Sequence, residues 1–216
     1  SVISTISSSL KIKKEMNILD DKEFYEALQS INRTSQHLSN TIDDFRNFFS
    51  PNKEMNKFYV SQLIKKSKDL IKSRFDKFNI KVIEHIDDIE ILSYQNELFQ
   101  VILNLFSNSI DVLSSNEIED KIIHIKIYQD ENNLCIEFLD NGGGIKDEFI
   151  NRVFEPYFTT KHKSQGTGIG LYMSLQIVTK HLNGEISVKN DTFIHNNIKY
   201  FGAKFTILLP IHPKNS

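Results

Sequence analysis

The chain has 216 residues, 39% of them hydrophobic and 25% charged, enough for a real core in one large domain or two small ones. A net charge of -2 and a pI of about 6.4 exclude a generally basic nucleic-acid binder, so no nucleic-acid partner is expected. The single Cys135 rules out an internal disulfide, and its apolar alternating surroundings read as a reduced core residue, in keeping with a cytoplasmic setting. No apolar run approaches the roughly 18 residues of a membrane span, and no signal peptide opens the chain. An anchor, if the protein has one, is expected outside this sequence.

Ile3, Ile6 and Leu10 form a short helical stripe. After a polar connection at 17–22, Phe24, Leu28, Ile31, Ser35, Leu38, Ile42, Phe45 and Phe49 alternate spacings of four and three. That heptad stripe, broken only by Ser35, predicts a long helix packing in coiled-coil fashion. Asp20 or Asp21 is the expected N-cap, and Pro51 ends the run. The resulting hairpin leaves too much apolar stripe uncovered to stand alone. A second copy completing a four-helix bundle is expected, with docking on the chain's own globular part as the alternative.

Residues 51–57 read as a linker. A helix over 61–78 places Leu63, Ile64, Ser67, Leu70, Ile71 and Phe75 on one face. Strands follow at 80–86 and 89–92, then a helix over 96–113. The alternating runs IIHIKIYQ and LCIEFLD flank a turn at 130–133 and predict a hairpin. A helix over 168–182, stopped by Asn183-Gly184, precedes strands at 185–189 and 199–209. Strands mixed with helices, without regular βαβ alternation, predict an α+β fold with a two-layer sandwich after the helical hairpin.

Four ordered segments carry the chemistry: NLFSNSIDVL from Asn104, DNGGGI from Asp140, FEPYFTTK from Phe154 and GTGIGLYMS from Gly166. Asn104 and Asn108 are four apart and project from one helical face. Amide oxygens suit Mg²⁺ without adding charge against a triphosphate, although a pair of asparagines bonding a neighbouring loop would look the same. Asp140 ends a hydrophobic strand, where a carboxylate can accept a hydrogen bond from an exocyclic amine such as adenine N6. The glycines after it allow positive φ and close approach of a ring, or simply make a turn. Gly166, Thr167, Gly168, Ile169 and Gly170 lead into a helix, an arrangement that turns N–H groups toward phosphate. No GK[ST] follows, and the spacing is not that of a Rossmann fingerprint. The twenty or so residues between the glycine segments are the length of a functional lid. Phe154 and Phe158 would pin its hinge, and Lys161, His162 and Lys163 would either meet phosphates or stay solvated.

This ordered set resembles the N, G1, F and G2 boxes of the ATP-binding domain of bacterial sensor histidine kinases. The wider superfamily includes type II topoisomerases, a heat-shock chaperone family and mismatch-repair ATPases. The boxes cover about a third of the chain and the surrounding elements suit the family from about Phe58 to Pro210. The upstream hairpin resembles the dimerisation and histidine-phosphotransfer domain of the same kinases. The implied organisation is a hairpin at 1–50, a linker at 51–57 and a catalytic domain at 58–212.

The resemblance implies ATP and Mg²⁺ as cofactors, with Asn108 as the metal ligand and Asn104 beside the phosphates. It implies that Asp140 reads adenine, that Gly142, Gly144 and Ile145 shape the pocket, and that Phe154, Phe158, Thr159 and Lys161 belong to the lid. Gly166, Thr167, Gly168, Ile169, Gly170 and Leu171 would line the phosphate side. Asp111 stands where many of these kinases carry a basic residue, so phosphate neutralisation would shift to Mg²⁺ and to Lys161, His162 or Lys163. Members that hydrolyse ATP usually have a glutamate where Asn104 stands. An amide has no useful basicity near neutral pH, so transfer to a protein acceptor is favoured over hydrolysis.

The implied function is histidine phosphorylation within a homodimer, for relay to a response regulator receiver domain. A serine kinase of the anti-sigma type and a nucleotide-sensing dimerisation module are the alternatives. None of the seven histidines is followed by an acidic residue or has Pro at the fifth position after it. His37, the one histidine in the hairpin, reads as a rim residue of the second helix. Val2 and Ile3 read as mid-helix, so the sequence is expected to begin just after the acceptor motif.

Overall fold

The structure is a computed structural model that describes residues 2–32, 35, 54–161 and 167–211. Leu38, Ile42, Phe45 and Phe49 of the heptad stripe, His37, Pro51, and His162, Lys163 and Gly166 lie outside the described residues. The chain divides into two compact units, Ser1–Pro51 with Thr159–Thr167, and Asn52–Phe158 with Gly168–Ser216.

In the first unit, α1 spans Val2–Glu15 and α2 is helical over residues 21–32. The connection turns at Asn17, whose φ of 54° is left-handed, and the Ile18 N–H donates to the Lys13 carbonyl at 3.0 Å. Of the two candidate caps it is Asp20 that serves, its carboxylate accepting the Glu23 N–H at 2.8 Å. Lys13 and Glu23 form an ion pair between the helices. Ile3, Ile6 and Leu10 are half-buried, whereas Phe24 and Leu28 of the stripe are exposed.

The second unit opens with β1 (Asn56–Tyr59), which pairs antiparallel with β3 (Glu90–Ser93). The strand therefore begins inside the span that reads as a linker, because Lys57 and Phe58 find partners in Leu92 and Ile91. Helix α3 (Val60–Phe78) follows at once and ends at Asn79, which adopts φ 52°. It buries Val60, Leu63, Ile64, Ser67 and Phe75. Leu70, expected on that face, is 64% exposed, since at 100° per residue it falls just off the arc running from Leu63 to Phe75.

The main sheet has the order β2-β4-β5-β7-β6, with β2 (Ile80–Ile86), β4 (Lys121–Asp130), β5 (Asn133–Asp140), β6 (Glu185–His195) and β7 (Ile198–Pro210). Only β2 and β4 are parallel, and the connection between them passes through α4 (Gln95–Ser115). Alternate residues Ile123, Ile125 and Ile127 of β4, Ile136 and Phe138 of β5, and Phe205 and Ile207 of β7 are buried. Phe106 of α4 meets Phe75 of α3 and Phe138 of β5 edge-on, with centroids 5.5 and 5.0 Å away. That fully buried ring joins helix layer to sheet, and truncating such a residue costs about 3–5 kcal/mol.

Two elements differ from expectation near the C-terminus. Strand β6 runs to His195, six residues past 189, because a two-residue loop, Asn196-Asn197, with φ 50° and 64°, lets it pair with β7 along its whole length. The helix expected over 168–182 starts at Gly170 as α6 (Gly170–Gln176) and continues as a π turn over Ile177–His181. It ends at Asn183-Gly184 as expected, with Asn183 at φ 52°. A further short helix, α5 (Asp147–Ile150), lies in the stretch between the glycine segments. None of the described helices is long and apolar enough to cross a membrane.

Candidate nucleotide site

Helix α4 buries Leu105, Phe106, Ser109 and Ile110 and leaves a half-buried strip of Asn104, Ser107, Asn108, Asp111 and Val112. The 3–4 spacing of those five residues puts them on one side of the helix. Asn104 is fixed by its Nδ2, which donates to Ser174 Oγ of α6 at 2.8 Å. Gly170, the first residue of α6, permits that approach, because a Cβ there would collide with the Asn104 amide. Asn108 Nδ2 is buried and without a hydrogen-bond partner among the described residues. A buried amide left unpaired is costly, and a half-turn exchanges its nitrogen and oxygen. Such a group fits either a phosphate oxygen accepting from it or a hard cation taking its oxygen.

At the end of β5, Asp140 is 3% exposed. Burial pushes its carboxyl above the usual carboxylate range, against the opposing pull of the Gly142 N–H, the Ala203 N–H and the Ser109 hydroxyl. The Gly142 bond is 2.9 Å long. Asn141, also buried, accepts the Ile122 N–H at 2.8 Å and donates to the Asp120 carbonyl at 2.6 Å. The loop that follows is held at three points. Asn116 donates to the Gly142 carbonyl at 2.8 Å. The Gly143 N–H reaches the Phe201 carbonyl at 3.4 Å. Asn190 accepts from the Ile145 N–H at 2.8 Å and donates to the Ile145 carbonyl at 2.7 Å. Gly142 has Val112 where a Cβ would go, and Gly144, at φ 78°, has Asn190 and the Phe201 ring there. Gly142 and Gly144 are thus packed too closely against the protein to carry a side chain, while Gly143 faces open space.

The second glycine segment meets the FEPYFTTK segment backbone to backbone. The Tyr157 N–H donates to the Gly168 carbonyl at 2.9 Å, and both residues have φ 66°. A Cβ on Gly168 would strike the backbone of Tyr157 and Phe158. Phe154 packs edge-on against Phe205 of β7 at 6.4 Å. Phe158 lies 5.6 Å from Phe149 of α5 and beneath the Arg152 guanidinium at 4.6 Å. Ile169 and Leu171 are half-buried around the start of α6. Thr159, Lys161 and Thr167 belong to the other compact unit. There the Thr159 hydroxyl accepts the Lys161 N–H at 3.1 Å.

Asp111 faces α3 and pairs with Arg74 at 2.8 Å. Arg74, Asn190, Gly202, Asn116, Asn141 and Ser174 therefore join residues expected from the motifs. A glycine inside a strand signals close backbone approach, which singles out Gly202; Asn141 and Ser174 lie inside the quoted segments and Asn116 just after one, whereas Arg74 and Asn190 lie far from them in sequence. Within the second unit, the buried Asp140 carboxylate, the glycine loop after it and the amide-bearing strip of α4 lie together, joined by Ser109 to Asp140, Asn116 to Gly142 and Val112 against Gly142.

The profile of the "Histidine kinase-, DNA gyrase B-, and HSP90-like ATPase" family matches residues 93–213, more than half of the chain. Sporulation kinase E of Bacillus subtilis is 31% identical over 155 residues, which are 71% of this chain and 19% of that protein. Signal transduction histidine-protein kinase AtoS of Escherichia coli is 29% identical over 160 residues, 73% of this chain and 24% of its own. The chain thus spans about a fifth to a quarter of these relatives. Among solved structures, the catalytic domain of histidine kinase ThkA matches with a TM-score of 0.61 and 25% identity, covering 74% of this chain and 97% of that one. ThkA in complex with the response regulator protein TrrA matches over 98% of this chain and 58% of that one, with a TM-score of 0.70; at 22% identity this likeness speaks to the fold. The chain belongs to the histidine kinase-, DNA gyrase B- and HSP90-like ATPase family, and its relatives place it with the sensor histidine kinases.

Proposed function

We propose that the second unit binds ATP with Mg²⁺ and transfers the γ-phosphoryl group to a histidine of a protein acceptor. The observation that carries the reading is Asp140, a buried carboxylate at the start of a glycine loop, suited to accept from the adenine amine. Asn108 is the residue to hold Mg²⁺, since its buried amide end has no partner among the described residues; the cation, when bound, offsets phosphate charge. Asn104, tied to Ser174, positions the phosphates and has no basicity to activate water. Ile145, held by Asn190, shapes the adenine end; Gly168, Ile169, Gly170 and Leu171 flank the phosphates. Thr159 and Lys161 are assigned to the lid with Phe154 and Phe158, and Gly166 and Thr167 to the phosphate side.

In the reaction the bond from Pγ to the β,γ-bridging oxygen breaks and a bond from Pγ to an imidazole nitrogen forms. ADP leaves, and the imidazole N–H proton passes to solvent. Positioning and charge neutralisation supply most of such catalysis. The acceptor lies on a dimerisation helix, with residues 1–50 as the dimerising hairpin of a homodimer, 51–57 joining it to the catalytic portion at 58–212, and a response regulator receiver domain as the onward partner in the cytoplasm. ThkA, the structural neighbour solved with a response regulator protein, supports that last assignment.

The test is transfer from [γ-³²P]ATP with Mg²⁺ to a separately supplied acceptor helix. An acid-labile, alkali-stable product is expected, since phosphohistidine has that stability and phosphoserine does not. Asp140→Ala and Asn108→Ala should each abolish labelling. An acid-stable product, or nucleotide binding indifferent to Asp140→Ala at millimolar ATP, would overturn the reading.

A further inference from the structure

We propose that Arg74 of α3 is the phosphate-side cation of the nucleotide site, aimed by Asp111 and Ser107 of α4. The inference rests on reading that site as an ATP site. Helix α4 contains no Lys or Arg; its two charged residues are Glu97 and Asp111. Asp111 shares the half-buried strip of Asn104 and Asn108, so by itself it would set a carboxylate beside the triphosphate. Arg74 changes the sign of that end of the strip. Its Nη2 pairs with Asp111 Oδ1 at 2.8 Å and its Nη1 donates to Ser107 Oγ at 3.0 Å. Two bonds from separate nitrogens fix the guanidinium plane, and the group has more N–H donors than these acceptors use. Ser107 precedes Asn108 and is three residues from Asn104, so Arg74 is held within one helical turn of both asparagines.

Other cations of α3 turn elsewhere. Lys68 pairs with Glu84, Lys66 lies over Phe99 and Lys77 over Phe78. Stability does not account for the Arg74 pair, because both side chains are 37% exposed and ion pairs that open to water add little to folding. Its position on the strip does: a guanidinium is the side chain best shaped for phosphate oxygens. Asp111 and Ser107 are then positioning residues, and the cation is delivered from a neighbouring helix.

The experiment is calorimetric titration with ATP, ADP and adenosine, each with Mg²⁺, alongside thermal melting. Arg74→Ala should weaken ATP about tenfold or more and leave adenosine unchanged. Arg74→Ala combined with Asp111→Lys should regain most of the ATP affinity, because it places a cation directly on the strip. A role confined to structure would shift the melting temperature and weaken ATP and adenosine together. That outcome, an ATP affinity indifferent to Arg74→Ala, or no recovery in the double variant, overturns the proposal. Failure of the unaltered protein to bind either ligand instead removes the ATP site itself, and this inference with it.

Discussion

Gly202 of β7 runs so close beneath Asp140 that a Cβ on it would overlap the Asp140 carbonyl oxygen and stand 3.0 Å from Oδ1. The neighbouring Ala203 N–H is one of the donors to that carboxylate. The strand thus supports the carboxylate by coming closer than a side chain allows. Gly202→Ala is expected to destabilise the protein by about 1–3 kcal/mol, the range for overpacking a filled interior, and to weaken adenine nucleotides further by displacing Asp140. Denaturant midpoints and nucleotide titration check it. A variant of unchanged stability and affinity would show that the approach is relaxed.

Asp140 itself is held at a cost in stability. Burial raises its folded pKa above the unfolded value of about 3.9. Between those two values the native state holds more protons than the unfolded chain, so stability falls as pH rises through the window. Above it, the free protein carries the full cost of a desolvated carboxylate. Asp140→Asn should therefore raise the denaturant midpoint of the nucleotide-free protein at neutral pH, with the gain shrinking as the medium is acidified toward the unfolded value. The same change should weaken ATP about tenfold or more through loss of a charged acceptor. A less stable variant at pH 7 would mean that the hydrogen-bond donors to the carboxylate outweigh burial.

The elements that carry the candidate site are legible because they are local in sequence. The apolar period around Asn104 and Asn108 locates α4 within a residue or two of its observed ends, and the alternating runs place β4 and β5. What escaped is what depends on distant partners. Arg74 lies 37 residues from Asp111, and Asn190 lies 45 from Ile145, so no periodicity links them. Strand β6 runs past the expected 189 even though Asn190 and Asp191 are residue types depleted in strands. Their pairing with Ala203 and Gly202 shows tertiary context overriding propensity. The Asn196-Asn197 turn was the available signal.

Tyr157 and Gly168 close the base of the segment between them, and two glycines allow the steric part of that closure to be measured. Gly143 and Gly168 both have positive φ, 90° and 66°. A Cβ on Gly143 meets nothing within 4 Å, whereas one on Gly168 strikes the Tyr157 and Phe158 backbone. Gly143→Ala reports the cost of positive φ alone, about 1 kcal/mol. Gly168→Ala should cost clearly more and should weaken ATP as well, because relieving the collision parts the two segments. Equal midpoints for the two variants would show that the Tyr157 backbone yields without effect.

On the sheet, away from these loops, His124 sets an acid limit on folding. Its Nε2 lies 3.1 Å from His85 Nδ1, and its ring stacks on Phe193 at 5.2 Å, which in turn stacks on Tyr200. Burial first, then the positive charges of His85, Lys126 and His195, lower its pKa to about 4, with Glu137 opposing. The unfolded chain, titrating near about 6.5, takes up this proton more readily than the native state. Stability from His124 is therefore complete above the unfolded value and is lost as pH falls from there toward 4. His124→Phe keeps the aromatic stack and removes the titration. Chemical denaturation of both proteins at intervals from pH 4 to 7.5 should show the unaltered protein losing stability relative to His124→Phe on acidification, because only it loses the histidine term. Parallel curves across that range would locate the acid sensitivity elsewhere, in carboxylates that both proteins share.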